Sequence, residues 1–362
     1  MAESRRPHDR LVDEVVSRDE CTLCGACATQ CAAEGDAVDV GPAGITIDSS
    51  LCTECRSCLA LCPQLVSADA EIEARAGPGR LGTIAEAGVY ATGLWRVRAV
   101  SASGVVTSLL THLLETRAIS GVVVPAAGGV WGTARQLVTT PEELLAATGN
   151  RVGKASTIRV NEGRVANLSI LASLRELHAA NPRSGDLAVV ALPCEAYTIA
   201  RMRLAGVLPA NRIRLVIGLF CLMNLPSNAF GVERLATAAG IRLGSISSVR
   251  FGEGVTLTNE DGESRALEWE QALPAAPPNC RACLDITAKH ADISVGVGPA
   301  GFSTVLARTP AGRNALLAAT KAGYLRSIQG AYVDAPPAAE SAAAIVADLT
   351  ELLGKKTLLV AQ

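Results

Sequence analysis

Eight cysteines near the start of the chain have the type and the spacing that bind iron–sulfur clusters. Two runs each read C-x2-C-x2-C-x3-C, and Pro63 follows the second run. Bacterial-type ferredoxins use this spacing for two [4Fe–4S] clusters, and the fourth cysteine of each run binds the cluster of the other run. The spacing therefore predicts two ligand sets: Cys21, Cys24, Cys27 and Cys62 for cluster one, and Cys52, Cys55, Cys58 and Cys31 for cluster two.

The chemistry that this pattern predicts is the transfer of single electrons, because [4Fe–4S] clusters accept and release electrons one at a time. A pair of zinc sites is the alternative, although zinc sites normally use paired C-x2-C knuckles and not triplets.

The other four cysteines suit a third metal site. Cys194 and Cys221 each follow an apolar stretch that predicts a buried strand, and Cys280 and Cys283 form a C-x2-C knuckle in a proline-led loop. Ligands gather outside the carboxyl ends of parallel strands, so four thiols meeting there would suit a [4Fe–4S] cluster or a zinc ion. Cys194 and Cys221 as buried cysteines without a metal are the alternative, and the spacing leaves it open.

Strands alternating with helices predict how the later cysteines are positioned. The alternation favours an α/β (α+β) body in which helices cover a mainly parallel sheet, joined to a small N-terminal ferredoxin-like domain. Antiparallel strands are predicted over residues 246–270. The other predicted strands are 97–100, 121–125, 187–192 and 213–220, and the predicted helices begin at Ser103–Gly104 and cover 168–178 and 195–204.

The same patterns predict how the chain is divided. The expected parts are a loose lead-in (1–18), a two-cluster ferredoxin-like domain with a hairpin at 41–47 (19–66), a surface linker (67–86), the α/β body (87–335) and a C-terminal helix (336–362).

Composition and charge narrow the classes of partner. The net charge is −2, which gives no electrostatic reason to expect binding of nucleic acid or of an anionic membrane. No apolar run reaches the roughly 18 residues of a membrane span, and the charged N-terminus does not predict a secretory signal. Twelve cysteines in such a chain indicate a reducing cytoplasm.

Four sequence blocks resemble the beta subunit of the coenzyme F420 hydrogenase/dehydrogenase family. They are residues 101–124, ALPCEA at 191–196, GLFCLMN at 218–224, and the C-x2-C block at 279–298. The resemblance implies an FAD, an exchange of hydride with coenzyme F420, and a body [4Fe–4S] cluster. The ligands it implies for that cluster are Cys194, Cys221, Cys280 and Cys283.

The resemblance also implies where the flavin binds, beside the helix that opens at Ser103–Gly104. Two departures from the family pattern affect this region: Ser103 stands where the family usually has glycine, and residues 149–152 lack the usual stretch. A solvated loop is the alternative role for Arg151 and Lys154. The candidate flavin contacts are Ser103, Gly104, Val105, Thr107, Asn150, Arg151, Lys154, Asp292 and Gly296.

Two further features have a functional and an ordinary interpretation. His290 is a candidate proton donor near the flavin, or a structural histidine with its hydrogen bonds satisfied. Residues 296–301 fit G-x-G-x-x-G, but the next residues predict a strand, and no acidic residue follows before Asp334. A dinucleotide site of the Rossmann type is therefore not expected there.

Together these features predict an iron–sulfur flavoprotein oxidoreductase that links coenzyme F420 to one-electron carriers. The alternatives are a ferredoxin-dependent FAD reductase of an organic substrate and an electron-input subunit of a larger redox complex. The expected partners are ferredoxin or another redox subunit, and a small hydride carrier or organic substrate. The oligomeric state stays open.

Overall fold

The computed structural model of the chain describes residues 6–18, 20–22, 24–41, 44–65, 70–98, 103–125, 132–133, 135–147, 157–159, 166–167, 186–223, 229–251, 254–298, 302–327, 347 and 350–351. The α-helices of these residues, α1 to α13, are Pro7–Leu11, Ala26–Glu34, Ser57–Leu61, Ala70–Ala76, Trp95–Arg98, Val105–Glu115, Pro141–Ala147, Pro193–Leu204, Leu208–Asn211, Ala229–Ala239, Trp269–Ala272, Pro278–Ala282 and Pro310–Lys321. The strands, β1 to β16, are Val38–Gly41, Gly44–Ile47, Glu86–Thr92, Gly121–Pro125, Gly132–Thr133, Arg135–Val138, Thr157–Arg159, Ala166–Asn167, Leu187–Ala191, Ile213–Leu219, Ile246–Phe251, Val255–Asn259, Ser264–Leu267, Ile293–Val297, Ser303–Ala307 and Leu325–Ser327.

Eight strands form one large mixed sheet, in the order β16-β3-β15-β14-β10-β9-β4-β6. The four central strands, β14, β10, β9 and β4, run parallel to one another. Antiparallel pairs add β15, β3 and β16 on one side and β6 on the other. The α/β architecture is therefore confirmed, and the parallel arrangement is that of the sheet centre.

The central strands are buried on both faces, which explains their unbroken apolar sequences. Val122 and Val124 of β4 belong to the core that contains α6, α7 and α13. Val123 belongs to the opposite core, which contains α8 and α9. Side chains alternate between the two faces of a strand, so both faces need apolar residues. The strands predicted at 121–125, 187–192 and 213–220 are confirmed for this reason.

A second sheet, of order β13-β12-β11-β7, is antiparallel throughout. It confirms the antiparallel strands predicted over 246–270, with Gly262 at the turn in a left-handed conformation (φ 84°). Its core also contains residues of α10 and α11. The hairpin predicted at 41–47 is present as the β1–β2 pair.

The N-terminal cysteine segment packs on the face of the large sheet that carries α8. Helices α3 and α4 contact α8. Cys24, Ala26 and Leu61 belong to the same apolar core as Ile199 and Met202 of α8. None of the described helices combines the length and the apolar character that a membrane span requires.

Three sequence predictions differ from the structure. The strand predicted at 97–100 is wrong, because Val97 and Arg98 lie in helix α5, with Val97 1% exposed and the neighbouring arginines outside. A strand does precede this helix, and it is β3. The predicted surface linker contains α4, whose Ile72 is buried, and the predicted loose lead-in contains α1 and the π-helical turn Val12–Val16.

The predicted helix at 168–178 lies outside the described residues. Most of the predicted C-terminal helix at 336–362 does too. The boundaries of the predicted division stay predictions.

Gly218 in β10 is expected to tolerate no side chain. A Cβ there would lie 2.3 Å from Ala288 Cβ and 2.8 Å from Ala291 Cβ, so the buried segment beside the strand would have to move. We expect Gly218→Ala to lower the free energy of unfolding by about 1–3 kcal/mol. Urea denaturation measures this change. The control Gly244→Ala, where nothing lies within 4 Å, should change it by less than about 0.5 kcal/mol; equal losses in both variants would contradict the packing argument.

Candidate functional site

The carboxyl edge of the parallel strands carries two of the candidate metal ligands. Cys194 is the second residue of α8, which begins two residues after β9 ends, and Cys221 follows the end of β10 by two residues. The Cys221 backbone N–H donates to the Ile286 carbonyl at 3.0 Å. This bond holds the segment that follows Cys280 and Cys283 beside the end of β10.

The charges of the other three cysteines act on Cys194. Desolvation raises the pKa of Cys194 well above its usual value, and the charges of Glu195, Cys280, Cys221 and Cys283 raise it further. The structure therefore brings together the four residues that the resemblance implies as ligands of a body cluster. Their binding of iron stays a prediction.

The N-terminal cysteines form two groups, and each group contains one cysteine from the other run. Desolvation raises the pKa of Cys27 well above its usual value, and the charges of Cys24, Cys21 and Cys62 raise it further. This group has the same members as the ligand set predicted for cluster one.

The second group centres on Cys58. Desolvation and the charge of Cys55 raise the pKa of Cys58 to about 11, and Cys31 and Cys52 add to the shift. The group has the same members as the ligand set predicted for cluster two. Helices α2 and α3 pack together, which places the end of each run beside the other run.

A buried group of thiols suits a positively charged metal centre. Thiolates crowded away from water are unfavourable by themselves, as the raised pKa values indicate, and bound metal cations stabilise them. Among the described residues, no set of three His, Cys, Asp or Glu side chains is placed so that it could hold a metal ion. The all-cysteine donor sets are of the type that binds [4Fe–4S] clusters or zinc.

The candidate flavin region lies at the same edge of the sheet. The Thr92 backbone N–H, at the end of β3, donates to the Ser103 carbonyl at 2.7 Å, and the Ser303 hydroxyl donates to Ser103 Oγ at 2.7 Å. Gly104 precedes α6 in a left-handed conformation (φ 62°), and no side chain caps this helix. An uncapped helix N-terminus presents N–H groups that suit a diphosphate.

Two of the predicted flavin residues, Asp292 and Gly296, make contacts within the protein that explain their residue types without a flavin. A Cβ at Gly296 would lie 1.8 Å from the Phe220 ring, so the ring requires glycine there. Asp292 accepts hydrogen bonds on both oxygens, from the Val216 backbone N–H and from the Thr309 hydroxyl, each at 2.8 Å. Flavin contacts of these residues stay predictions.

The other predicted flavin contacts are either buried or outside the described residues. Val105 and Thr107 are buried in α6. Asn150, Arg151 and Lys154 lie outside the described residues.

His290 lies where the body meets α4. Its Nε2 is 3.3 Å from Glu73 Oε1, and its ring meets the Tyr197 ring edge-on with centroids 5.0 Å apart. Lys289 Nζ donates to Glu73 Oε2 at 2.5 Å. Burial, and then the charge of Lys289, lowers the pKa of His290 to about 4, so its imidazole is neutral at pH 7. The contacts give it a place at the junction with α4, and its role as a proton donor stays a prediction.

Acidification is expected to weaken this junction through His290. The pKa of His290 is about 4 in the folded chain and about 6.5 in the unfolded chain. Only the unfolded chain binds the proton between these values, so stability falls as the pH drops from 6.5 towards 4. We expect His290→Asn to reduce this slope in urea denaturation at pH 7, 6 and 5. Equal slopes in variant and parent would contradict it.

Two stretches of the chain match the models of one sequence family, the coenzyme F420 hydrogenase/dehydrogenase beta subunit. Residues 90–160 match the model of its N-terminal part, and residues 185–330 match the model of its C-terminal part. The chain belongs to this family. It is an oxidoreductase, and the resemblance seen in the sequence blocks is confirmed.

Curated relatives carry F420 in their names. The beta subunit of coenzyme F420 hydrogenase of Methanothermobacter thermautotrophicus is 28% identical over 62% of this chain and 76% of its own length. The F subunit of F(420)H(2) dehydrogenase of Methanosarcina mazei is 26% identical over 83% of this chain and 82% of its own length. Coenzyme F420-dependent sulfite reductase of Methanocaldococcus jannaschii is 25% identical over 83% of this chain, which spans only 46% of that protein.

A solved relative shows the same fold. A chain of the F420-reducing [NiFe] hydrogenase complex of Methanosarcina barkeri superposes with a TM-score of 0.61 at 21% identity. The match covers 77% of this chain and 91% of the other chain.

Sequence reasoning on this F420 family member missed three residues that join its parts. Glu73 pairs with Lys289 and His290, Arg201 donates to the Ala60 carbonyl, and Arg308 donates to the Leu81 and Thr83 carbonyls. Their partners are far away in sequence, and no local pattern identifies them. The one available signal was a charged residue within an otherwise apolar or alanine-rich stretch.

Proposed function

We propose that this protein passes electrons between coenzyme F420 and one-electron carriers, through an FAD and three [4Fe–4S] clusters. The observation that carries this proposal is the gathering of the twelve cysteines into three groups of four. One of these groups lies at the same sheet edge as Ser103 and Gly104 in a chain of the F420 family.

The residues of the chain would bind and position the cofactors, and the cofactors would supply the redox chemistry. FAD, when bound, exchanges hydride with F420 and exchanges single electrons with clusters, which is chemistry of the cofactor. The N-terminus of α6 would orient a diphosphate. The buried apolar residues around Cys24, Cys27 and Cys62 would exclude water from cluster one. The thiols would hold iron, and burial and nearby charge would set the potentials of the clusters.

Packing distinguishes the two N-terminal cysteine groups. The body group begins at the N-terminus of α8, and α3, which carries Cys58 and leads to Cys62, contacts the same helix. Cys24 of the cluster-one group shares an apolar core with α8, whereas Cys55 of the cluster-two group is exposed. Cluster one would therefore be held on the side of α8, and cluster two on the side of the surface.

The donor set favours iron–sulfur clusters over zinc in the N-terminal segment. Each run reads C-x2-C-x2-C-x3-C, whereas zinc sites normally use paired C-x2-C knuckles. Four thiolates with this spacing are the usual ligands of a [4Fe–4S] cluster.

A role as an electron-input subunit is the second candidate. Two of the curated relatives are named as subunits, which favours a redox partner for this chain as well. The exposed Cys55 would lie near the surface that such a partner approaches. This role uses the same path and differs in where the electrons finally react.

The test is the addition of reduced F420 to the full chain, purified without oxygen, with NADH as the control donor. We expect reduced F420 to be oxidised while the flavin and then the clusters are reduced, and NADH to have no effect. Reduction by ferredoxin with no response to reduced F420 would overturn the F420 assignment. It would favour the ferredoxin-dependent reductase.

A further inference from the structure

Arg201 of α8 is a buried cation at the junction with the N-terminal cysteines. The residue is 7% exposed. Its guanidinium donates to the Ala60 carbonyl at 2.6 Å, and lies 6.0 Å from the centre of the Tyr197 ring. Nε and the second terminal nitrogen are buried and have no hydrogen-bond partner among the described residues. A buried cation with open donors is costly unless negative charge lies nearby.

Cluster one is the candidate for that negative charge, because Arg201 contacts the helix that leads to its ligand Cys62. Ala60 lies between Cys58 and Cys62, and the Arg201 charge acts on the Cys62 sulfur. A [4Fe–4S] cluster held by four thiolates has a net negative charge, which grows by one when the cluster is reduced. A cation held at this position therefore stabilises the reduced form more than the oxidised form.

Helix α8 also connects this cation to the body group. Cys194 and Arg201 are seven residues apart on one helix, which is about 10 Å along its axis. The helix that begins at the body group thus carries Arg201 to the segment that holds cluster-one ligands.

We propose that Arg201 is the counter-charge of cluster one and raises its reduction potential, so that cluster one accepts electrons from the body cluster. This inference rests on the iron–sulfur assignment made under the proposed function. Arg201 is a positioning residue in this account, because it acts on the electron through the cluster.

The test is an EPR-monitored redox titration of the full, anaerobically purified chain. Arg201→Gln and Arg201→Met remove the charge, and the methionine variant leaves no polar group buried. Both are expected to lower the reduction potential of one cluster by at least about 59 mV. This shift is a tenfold change in the one-electron equilibrium constant of that cluster. In Arg201→Lys, the one-electron equilibrium constant of this cluster should stay within threefold of the parent value.

Arg56→Gln is the matched control, because Arg56 is an exposed cation between two ligands of cluster two. Water and salt screen exposed charges, so Arg56→Gln should change the one-electron equilibrium constant of any cluster by less than threefold. Unchanged potentials in both neutral Arg201 variants would overturn the proposal. So would an equally large shift in Arg56→Gln.

Iron content separates the remaining outcomes. Loss of the cluster-one irons in both neutral variants, with retention in Arg201→Lys, supports the counter-charge. Loss in all three Arg201 variants would mean that the side chain is needed for packing alone, and would overturn the proposal. A parent chain without N-terminal clusters would instead overturn the proposed function, before any variant is made.

Discussion

Replacing Cys194 with serine is expected to remove the body cluster and to cut the path from the flavin to the N-terminal clusters. Cys194 shares its group with Cys221, Cys280 and Cys283, and the chain offers no fifth cysteine there. The iron content should fall by about four atoms per chain. Reduced F420 should still reduce the flavin, while its reduction of the N-terminal clusters should become much slower than in the parent.

The matched variant is Cys52→Ser, which removes a ligand predicted for cluster two. It should lose a similar amount of iron and keep rapid reduction of cluster one, because its defect lies beyond that cluster. Iron analysis and rapid-mixing absorbance measure both variants. Full iron content in Cys194→Ser, or rapid reduction of its N-terminal clusters by reduced F420, would show that the body group is not a relay.

Replacing Arg308 with methionine is expected to cost about 3–5 kcal/mol of unfolding free energy. Arg308 is 6% exposed and donates five hydrogen bonds. They reach the Leu81 and Thr83 carbonyls, two oxygens of Thr287, and the Ser294 hydroxyl. The side chain therefore ties the segment before β3 to the loop that leads into β14.

Charge adds to the effect of those hydrogen bonds. Burial lowers the pKa of Arg308 to about 10, and the charge of Asp285 opposes this shift, so the guanidinium stays charged at pH 7. Burial raises the pKa of Asp285, and the Arg308 charge opposes that shift too. Removing Arg308 would take away one of two cations, Arg308 and Lys289, whose charges act on the buried Asp285 carboxyl group.

Arg214→Met is the matched control, because it removes an arginine with an exposed partner. Arg214 is 66% exposed and pairs with Asp186 at 3.1 Å. Its loss should cost no more than about 1 kcal/mol. Denaturation of both variants in urea compares the two losses directly. Equal small losses would contradict a structural role for the Arg308 network.

The sequence predicted those parts of the fold that local patterns determine. Residues 187–191 are apolar without interruption, and a strand that is apolar on both faces belongs in the centre of a sheet. The strand predicted at 97–100 is wrong at Val97 and Arg98, which lie in α5, where Val97 is buried and the arginines on either side are exposed. Helix α4 was missed because its alanine-rich sequence resembles that of a linker.

In the candidate site, too, the sequence predicted the features that depend on local spacing. Cysteine spacing predicted that Cys62 and Cys31 each join the other run, and the structure groups Cys62 with Cys27 and Cys31 with Cys58. That these groups bind clusters stays a prediction. The contacts of Glu73, Arg201 and Arg308 were not predictable, because they depend on how distant elements pack. Asp292 and Gly296 appeared as cofactor residues in the sequence, and the structure gives them hydrogen-bonding and packing roles in the body.

The most direct test of the central claim is the cofactor content of the full chain. Iron, acid-labile sulfide and flavin should be determined on protein purified without oxygen, together with its zinc content. The account predicts about twelve irons, about twelve sulfides and one FAD per chain, with no zinc. About eight irons and no flavin, or zinc in place of iron, would contradict it.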